Sequence, residues 1–304
     1  MVEHQESITA KLCSFARAFH SNFSREKIFD DYLSFDLMGK SQYEEIGQLI
    51  ENNFDVSKKD ERKWFCHKNI RQSLYKYILP IPLSRICFAE NELKKFAQQN
   101  SGQKIQYVIC GAGMDSFAFR NENESIRIFE IDHPDSQRYK LERIKKLEWN
   151  IPANLKFIPM DFSKDSLEEK LLEGGFDVNA PVFTAILGVS YYLTLPVFEE
   201  TLKIISGMTV SKSRIIFDFP DETTFNSEGI KFSRVGELAR ITEKLGEPML
   251  HGFSFGEIKA SLERHGLRIV KHETPTVIQE KYFSDRSDGL KAYENVHFIV
   301  AEKI

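Results

Sequence analysis

The run Ile105-Gln-Tyr-Val-Ile-Cys-Gly-Ala-Gly-Met-Asp-Ser-Phe-Ala-Phe-Arg120, followed by Ile126-Arg-Ile-Phe-Glu-Ile-Asp-His-Pro134, decides the fold. An apolar stretch ends in Gly111-Ala112-Gly113, and a second ends in acid about twenty residues later. That layout is a βαβ unit that binds a nucleotide or nucleoside. The glycine turn gives close backbone approach, and the carboxylate accepts the ribose hydroxyls. One feature does not fit a dinucleotide site: Met114-Asp115-Ser116 stands where further glycines would follow. An aspartate suits a pyrophosphate poorly but tolerates a ligand that carries positive charge.

Outward from this unit, strands and helical patterns alternate. Strands are expected at 105–110, 126–131, 155–159, 181–187, 213–219, 267–272 and 296–302. Helices are expected near 134–148, 164–173, 195–207, 229–245 and 254–265. Pro134 and Pro196 suit first-turn positions and Gly266 a helix stop. Such alternation predicts an α/β fold with a seven-stranded, mainly parallel sheet and helices on both faces. No helix is evident between the last two strands, which predicts an antiparallel final pair with an extended connection.

Upstream, Ile8, Leu12, Phe15, Ala16 and Phe19 recur at helical spacing. Residues 24–82 read as helical pieces closed by Pro80 and Pro82, and a helix over Arg85–Gln99 leads into the first strand. The expected organisation is an N-terminal helical segment, 1–84, packed on a core domain, 85–304, with a helical insertion at 220–255. Phe-rich stretches at 15–35 and 225–255 suit either core or an apolar lid, and core is the commoner fate of such residues.

The 304 residues are 41% hydrophobic and 28% charged with net charge −4, a globular composition without a basic patch. Nucleic acid is therefore not an expected partner. No apolar run reaches membrane-spanning length, and the first residues lack a signal peptide's pattern. Cys13, Cys66, Cys87 and Cys110 form no C-x-x-C pair and read as reduced thiols of a cytoplasmic protein rather than metal ligands. Oligomeric state has no signature.

Candidate site residues fall at strand ends, where open α/β sheets bind ligands. Gly111 and Gly113 end the first strand. Glu130 and Asp132 bracket Ile131 on one face of the second, and a carboxylate there can accept both ribose hydroxyls, each bond worth about 1.5–3 kcal/mol. Asp132 could instead cap the helix at Pro134. Asp161-Phe162 follows the third strand, where a carboxylate can accept an exocyclic amine; a helix cap is the alternative. Leu187, Gly188, Tyr191 and Tyr192 end the fourth strand, where they either face the reacting group or serve packing, with Thr194 as a cap for the next helix. Arg85 by itself suggests no role.

Together these segments resemble the leucine carboxyl methyltransferase family. Its glycine loop is matched by Cys110-Gly-Ala-Gly-Met-Asp-Ser-Phe-Ala-Phe-Arg120 and its E-[VI]-D-x-P by Glu130-Ile-Asp-His-Pro134. Asp161-Phe162 and Leu187-Gly-Val-Ser-Tyr-Tyr-Leu193 match the next two motifs. Gly246-Glu-Pro248, Gly252-Phe-Ser254, Lys281-Tyr-Phe283, Asp288-Gly-Leu290 and His297-Phe-Ile-Val-Ala301 complete the order. The resemblance covers about residues 80–304. It implies a class I methyltransferase fold with S-adenosyl-L-methionine as cofactor and S-adenosyl-L-homocysteine as product. It further implies that Arg85 holds the cofactor carboxylate, Gly111 packs on the cofactor, Asp132 holds the ribose and Asp161-Phe162 reads adenine. Gly113, Asp115, Glu130, Leu187 and Gly188 belong to the same cofactor-binding set. Some members carry glutamate where this chain has Leu187, which argues against a protein C-terminal leucine as substrate.

The expected reaction is O-methylation of a small molecule. An ionised carboxylate needs no general base, whereas a phenol does. No Asp–His pair is apparent, and His297, without an acid partner in sequence, reads as structural. A carboxylate acceptor is thereby favoured, with Tyr191 and Tyr192 as positioning candidates. A nicotinamide-dependent oxidoreductase and a non-catalytic cofactor-binding module are the alternatives; Asp115 opposes the first and Leu187 allows the second.

Overall fold

The computed structural model describes residues 7–53, 68–225 and 233–304. The chain opens with α1 (Ile8–Phe23), α2 (Ser34–Met38), α3 (Lys40–Asn53) and α4 (Lys68–Ser73), then a wide π-type turn at Leu74–Ile78. The long helix α5 (Pro80–Gln99) leads into β1 (Ile105–Cys110), α6 (Phe117–Arg120), β2 (Ile126–Asp132), α7 (Pro134–Lys146) and β3 (Leu155–Pro159). After these come α8 (Leu167–Glu173), β4 (Val182–Ile186), α9 (Leu195–Gly207) and β5 (Arg214–Pro220). The chain finishes with α10 (Ser233–Lys244), α11 (Phe255–Arg264), β6 (Leu267–Glu273), α12 (Pro275–Ile278) and β7 (Val296–Lys303).

The strands form one seven-stranded sheet in the order β3-β2-β1-β4-β5-β7-β6. The first five are parallel; β7 runs antiparallel to both β5 and β6. The order reverses between β1 and β4, where Cys110 pairs with Ile186. The loops that follow these two residues therefore start side by side, which is where a ligand crevice opens in such sheets.

Alternation along the buried strands sends side chains to two apolar layers. Tyr107, Ile109, Ile128, Phe183, Ala185, Phe298 and Val300 pack in one layer with Leu12, Phe15 and Phe19 of α1 and with Phe88, Leu93 and Phe96 of α5. Val108, Cys110, Phe129, Ile131, Ile186, Phe217 and Ile299 face the other, against Phe198, Leu202, Ile258 and Leu262. The N-terminal helices thus share the core of the sheet rather than enclosing one of their own.

Several expectations shift. Pro80 and Pro82 do not close the upstream region; they sit in the first turn of α5. Proline lacks only an N–H that has no helical partner at that end. The expected boundary at 84/85 accordingly falls inside a helix. The helix expected from 164 starts at Leu167, because Ser166 is its cap, accepting from the Glu169 N–H. The connection before β7 contains α12 and a wide turn at Gln279–Phe283, too short for periodicity to reveal. Of the insertion at 220–255, residues 226–232 lie outside the described residues, and α10 occupies Ser233–Lys244. Phe15 and Phe19 are core. Among the described residues, no helix is long and apolar enough to cross a membrane.

Candidate active site

Gly111 and Gly113 both adopt positive φ, +73° and +52°, a conformation in which a side chain would be strained. Their backbone turns back over β2: the Gly111 and Ala112 N–H groups both donate to the Ile131 carbonyl, at 2.9 and 3.1 Å. Asp132 closes the turn. Its carboxylate accepts from the Gly113 N–H and, at 2.6 Å, from the His133 N–H. Burial pushes this carboxyl up, and the two backbone donors oppose the shift. The cap of α7 is His133, whose Nδ1 accepts from the Asp135 N–H, so Asp132 is left to tie two strand ends together.

Glu130 is not an open carboxylate beside Asp132. It is 1% exposed and paired with the equally buried Lys140 at 2.5 Å. Burial pushes its carboxyl up to about 7, against the pull of Lys140. Lys140 also donates to the Asp115 carbonyl at 2.5 Å, so the pair supports the glycine loop from beneath. The Asp115 carboxylate accepts from the Phe117 N–H at 2.7 Å and fixes the turn into α6.

Past β3, the Asp161 carboxylate accepts from the Ser163 N–H and hydroxyl at 3.0 and 2.6 Å and pairs with Lys164 at 2.9 Å. The Ser163 hydrogen bonds lead in holding it well below the usual carboxylate range. It does not cap α8. Phe162 beside it is 46% exposed, a large apolar side chain at the rim of the carboxyl ends of β2 and β3.

Across the switch point, Gly188 has φ +70°, and a β-carbon there would lie 2.5 Å from the Arg85 guanidinium. Arg85 comes from the second turn of α5. Its Nη1 donates to Asp218 Oδ2 at 3.2 Å, and Nη2 approaches Cys13 Sγ at 3.5 Å. Asp218, near the end of β5, is 0% exposed. It also accepts from the Gly188 N–H at 2.7 Å and the Tyr191 hydroxyl at 2.9 Å. Leu187 packs against the apolar layer that α1 and α5 share with the sheet. Tyr191 is turned inward, and burial drives its phenol well above the ordinary value. Tyr192 donates to Thr9 Oγ1 at 3.2 Å, and burial raises its phenol too. Thr194 occupies the cap position of α9 without a side-chain hydrogen bond.

The roof over these loops is α1. Ala10 Cβ lies 3.5 Å from where a β-carbon on Gly113 would stand. Arg17, 4% exposed, bonds Asp31 at 2.7 Å and the Met114 carbonyl at 2.8 Å. Asp31 also accepts from Ser116, and Arg120 forms a two-pronged pair with Glu90. Glu247, from the Gly246-Glu-Pro248 segment, holds the start of α1: it accepts from the Ile8 and Thr9 N–H groups at 2.8 and 3.1 Å and from both neighbouring hydroxyls.

A separate cluster sits at the far edge of the same strand ends. His297 Nδ1 and His272 Nε2 are 2.8 Å apart, and His297 Nε2 lies 3.6 Å from Asp221 Oδ2. Phe255 stacks on His272 at 4.4 Å, and Phe219 on His297 at 5.1 Å. His297 therefore does have an acid partner, reached across an antiparallel pairing that the sequence does not announce. Both its ring nitrogens are engaged within the cluster.

Asp218, Cys13 and Thr9 are not among the expected site residues, and Glu247 stands in a family segment without a role. Asp218 had a usable signal: an acid inside the apolar run Ile215-Ile-Phe-Asp-Phe219 at a strand's carboxyl end. The other three meet the site only through the packing of α1.

Residues 10–206 match the family model described as leucine carboxyl methyltransferase. YktD of Bacillus subtilis (strain 168), named as a candidate S-adenosyl-L-methionine-dependent methyltransferase, is 35% identical over 100% of both chains. A similarly named protein of Mycolicibacterium paratuberculosis (strain ATCC BAA-968 / K-10) is 28% identical over 53% of this chain and 50% of its own. The crystal structure of a DUF574-family protein from Streptomyces avermitilis MA-4680 matches with TM-score 0.60 over 100% of both chains at 11% identity, a likeness of fold. With a family match over most of its length and a full-length relative, the chain belongs to the leucine carboxyl methyltransferase family and is an S-adenosylmethionine-dependent methyltransferase.

Proposed function

We propose that this methyltransferase acts on an oxygen of a small molecule, and that the acceptor oxygen belongs to a carboxylate. The donor set at the strand ends fits the cofactor. Arg85 has a planar cationic head at the Gly188 turn and a buried Nε without a hydrogen-bond partner, suited to the cofactor carboxylate. Asp132 would take the ribose and Asp161-Phe162 the adenine, an acceptor beside an exposed aromatic face. Gly111, Gly113 and Gly188 belong to the same set through their positive-φ turns, with the space beside Gly188 taken by the Arg85 guanidinium, and Asp115 adds negative charge on the glycine-loop side. Glu130 contributes through Lys140 beneath that loop. Leu187 supplies apolar packing where a polar contact would otherwise be made. The described N-terminal helices are read as a cover, with α1 closing over the glycine loop.

When bound, S-adenosylmethionine supplies an electrophilic methyl group on a sulfonium. The chain's own residues then align the acceptor and exclude water; alignment of this kind supplies about 7–11 kcal/mol in favourable cases. The observation that carries the acceptor class is the state of the polar groups by Gly188. Tyr191 and Tyr192 are phenols raised by burial; at neutral pH they donate and do not take protons. The His297–Asp221 pair uses its nitrogens internally. Tyr191 and Tyr192 donate their hydroxyl protons to Asp218 and Thr9, which supports an acceptor that arrives ionised and needs no base.

The cofactor assignment is tested by calorimetry with S-adenosylhomocysteine. Wild type is expected to bind, and Asp132→Ala and Arg85→Ala each to weaken binding at least tenfold; unchanged affinity in both variants discards the assignment. The acceptor class is tested with tritiated cofactor and panels of small carboxylic acids and phenols. Base-labile counts with the acids support a carboxyl ester; base-stable transfer to phenols alone rejects it, and no transfer to either supports a binding module without turnover.

A further inference from the structure

Asp218 is the hub of the loops at the switch point. Its Oδ1 accepts from the Gly188 N–H at 2.7 Å, and its Oδ2 from Tyr191 at 2.9 Å and Arg85 at 3.2 Å. Its backbone carbonyl accepts from the Ser190 hydroxyl at 2.6 Å. It is wholly buried, so it touches no ligand itself. Through these bonds one carboxylate fixes both groups that border the crevice at this point: the guanidinium from α5 and the bare backbone of the β4 loop.

We infer that Asp218 is a positioning residue for the amino-acid end of the cofactor, acting through Arg85 and the Gly188 turn. The inference rests on the reading of Arg85 as the cofactor's carboxylate holder. A long arginine side chain samples many rotamers, and a carboxylate ligand gains a two-pronged contact only when the guanidinium is already oriented. Asp218 supplies that orientation from the strand beneath. Its negative charge also leaves the arginine–aspartate pair neutral, which matches a ligand end carrying both ammonium and carboxylate and therefore no net charge. The neighbouring contact, Cys13 Sγ at 3.5 Å, is too weak a partner to set the geometry alone. Tyr191 is the second anchor of the same carboxylate oxygen and keeps Oδ2 directed at Arg85.

The test uses two probes on the full chain. S-adenosylhomocysteine carries the amino-acid end; 5′-methylthioadenosine keeps the adenosine and thioether but lacks that end. Asp218→Asn is expected to lose at least tenfold in affinity for S-adenosylhomocysteine while its affinity for methylthioadenosine stays within twofold of wild type. Tyr191→Phe, which leaves the ion pair in place and serves if the asparagine variant does not fold, is expected to lose three- to tenfold for the first probe alone. In an Arg85→Ala background, Asp218→Asn is expected to cost nothing further. Equal losses for both probes would assign Asp218 a purely structural role and overturn the inference, as would full affinity in both variants. If Arg85→Ala itself binds S-adenosylhomocysteine as wild type does, the parent reading fails and the inference with it. If Arg85→Ala is impaired and Asp218→Asn is not, only the inference falls.

Discussion

At the residue scale, Gly188 illustrates how much one missing β-carbon permits. At φ +70° any side chain is strained, by about 1–2 kcal/mol, and an alanine methyl would also occupy the place of the Arg85 guanidinium. Arg85 cannot retreat cheaply, because it is buried and paired with Asp218. Gly188→Ala is therefore expected to lower stability by about 1–2 kcal/mol, measured by urea unfolding, and to reduce S-adenosylhomocysteine affinity tenfold or more. Retained affinity with reduced stability would separate the glycine's backbone role from its place beside Arg85. The chain's glycines, strand-end acids and their spacing are legible in sequence because each motif is local. The partners of those residues are not. Glu130 and Asp132 are two apart on one strand, yet Lys140 draws the first into an interior pair and the Gly113 N–H takes the second.

At the element scale, α1 is held at its start and at its middle. Its first turn ends on the Glu247 carboxylate, and its middle is locked by Arg17 to Asp31 and the glycine loop. An acid at a helix N-terminus satisfies free N–H groups and complements the helix dipole. Glu247→Ala removes the acceptor of the Ile8 and Thr9 N–H groups, leaves the Ser7 cap in place, and is expected to cost about 1 kcal/mol. Hydrogen exchange is expected to quicken at residues 8–12 while residues 15–20 keep their protection. Uniform protection in the variant would show that Glu247 contributes nothing to the roof. Periodicity announces α1 itself, since its buried face is apolar at helical spacing. Its place above the glycine loop is set by a glutamate more than two hundred residues away in sequence.

At the scale of the whole molecule, the core carries titrating groups of opposite sign. His20 is fully buried, accepts from the Ile28 N–H at 2.9 Å, and has its pKa lowered to about 4 by burial, with Arg286 adding to the shift. A lowered histidine stabilises the fold fully above its ordinary value near 6.5. That contribution is lost as pH falls through about 4, and its full size is about 3 kcal/mol. Glu130 works in the other direction: raised to about 7, it favours the fold below its ordinary range and loses that contribution as pH rises through 7. The two overlap, so the measurement is a difference. Thermal melting from pH 7 to pH 4 is expected to fall more steeply in wild type than in His20→Gln, which keeps an acceptor but does not titrate. Parallel curves would refute a neutral buried His20.

The sequence by itself determined the alternation of strands and helices, the glycine turn with its acids, and hence the family. Each depends on residues close together in the chain, where period, turn chemistry and spacing act directly. Only the tertiary structure decided that α1 roofs the glycine loop, that Asp218 joins Arg85 to Gly188, and that Asp221 stands beside His297. Those relations arise where parallel strands end at the switch point and where β7 returns antiparallel between β5 and β6. Packing of the two sheet faces sets them, and no local pattern in the chain encodes which distant carboxylate a given arginine or histidine will meet.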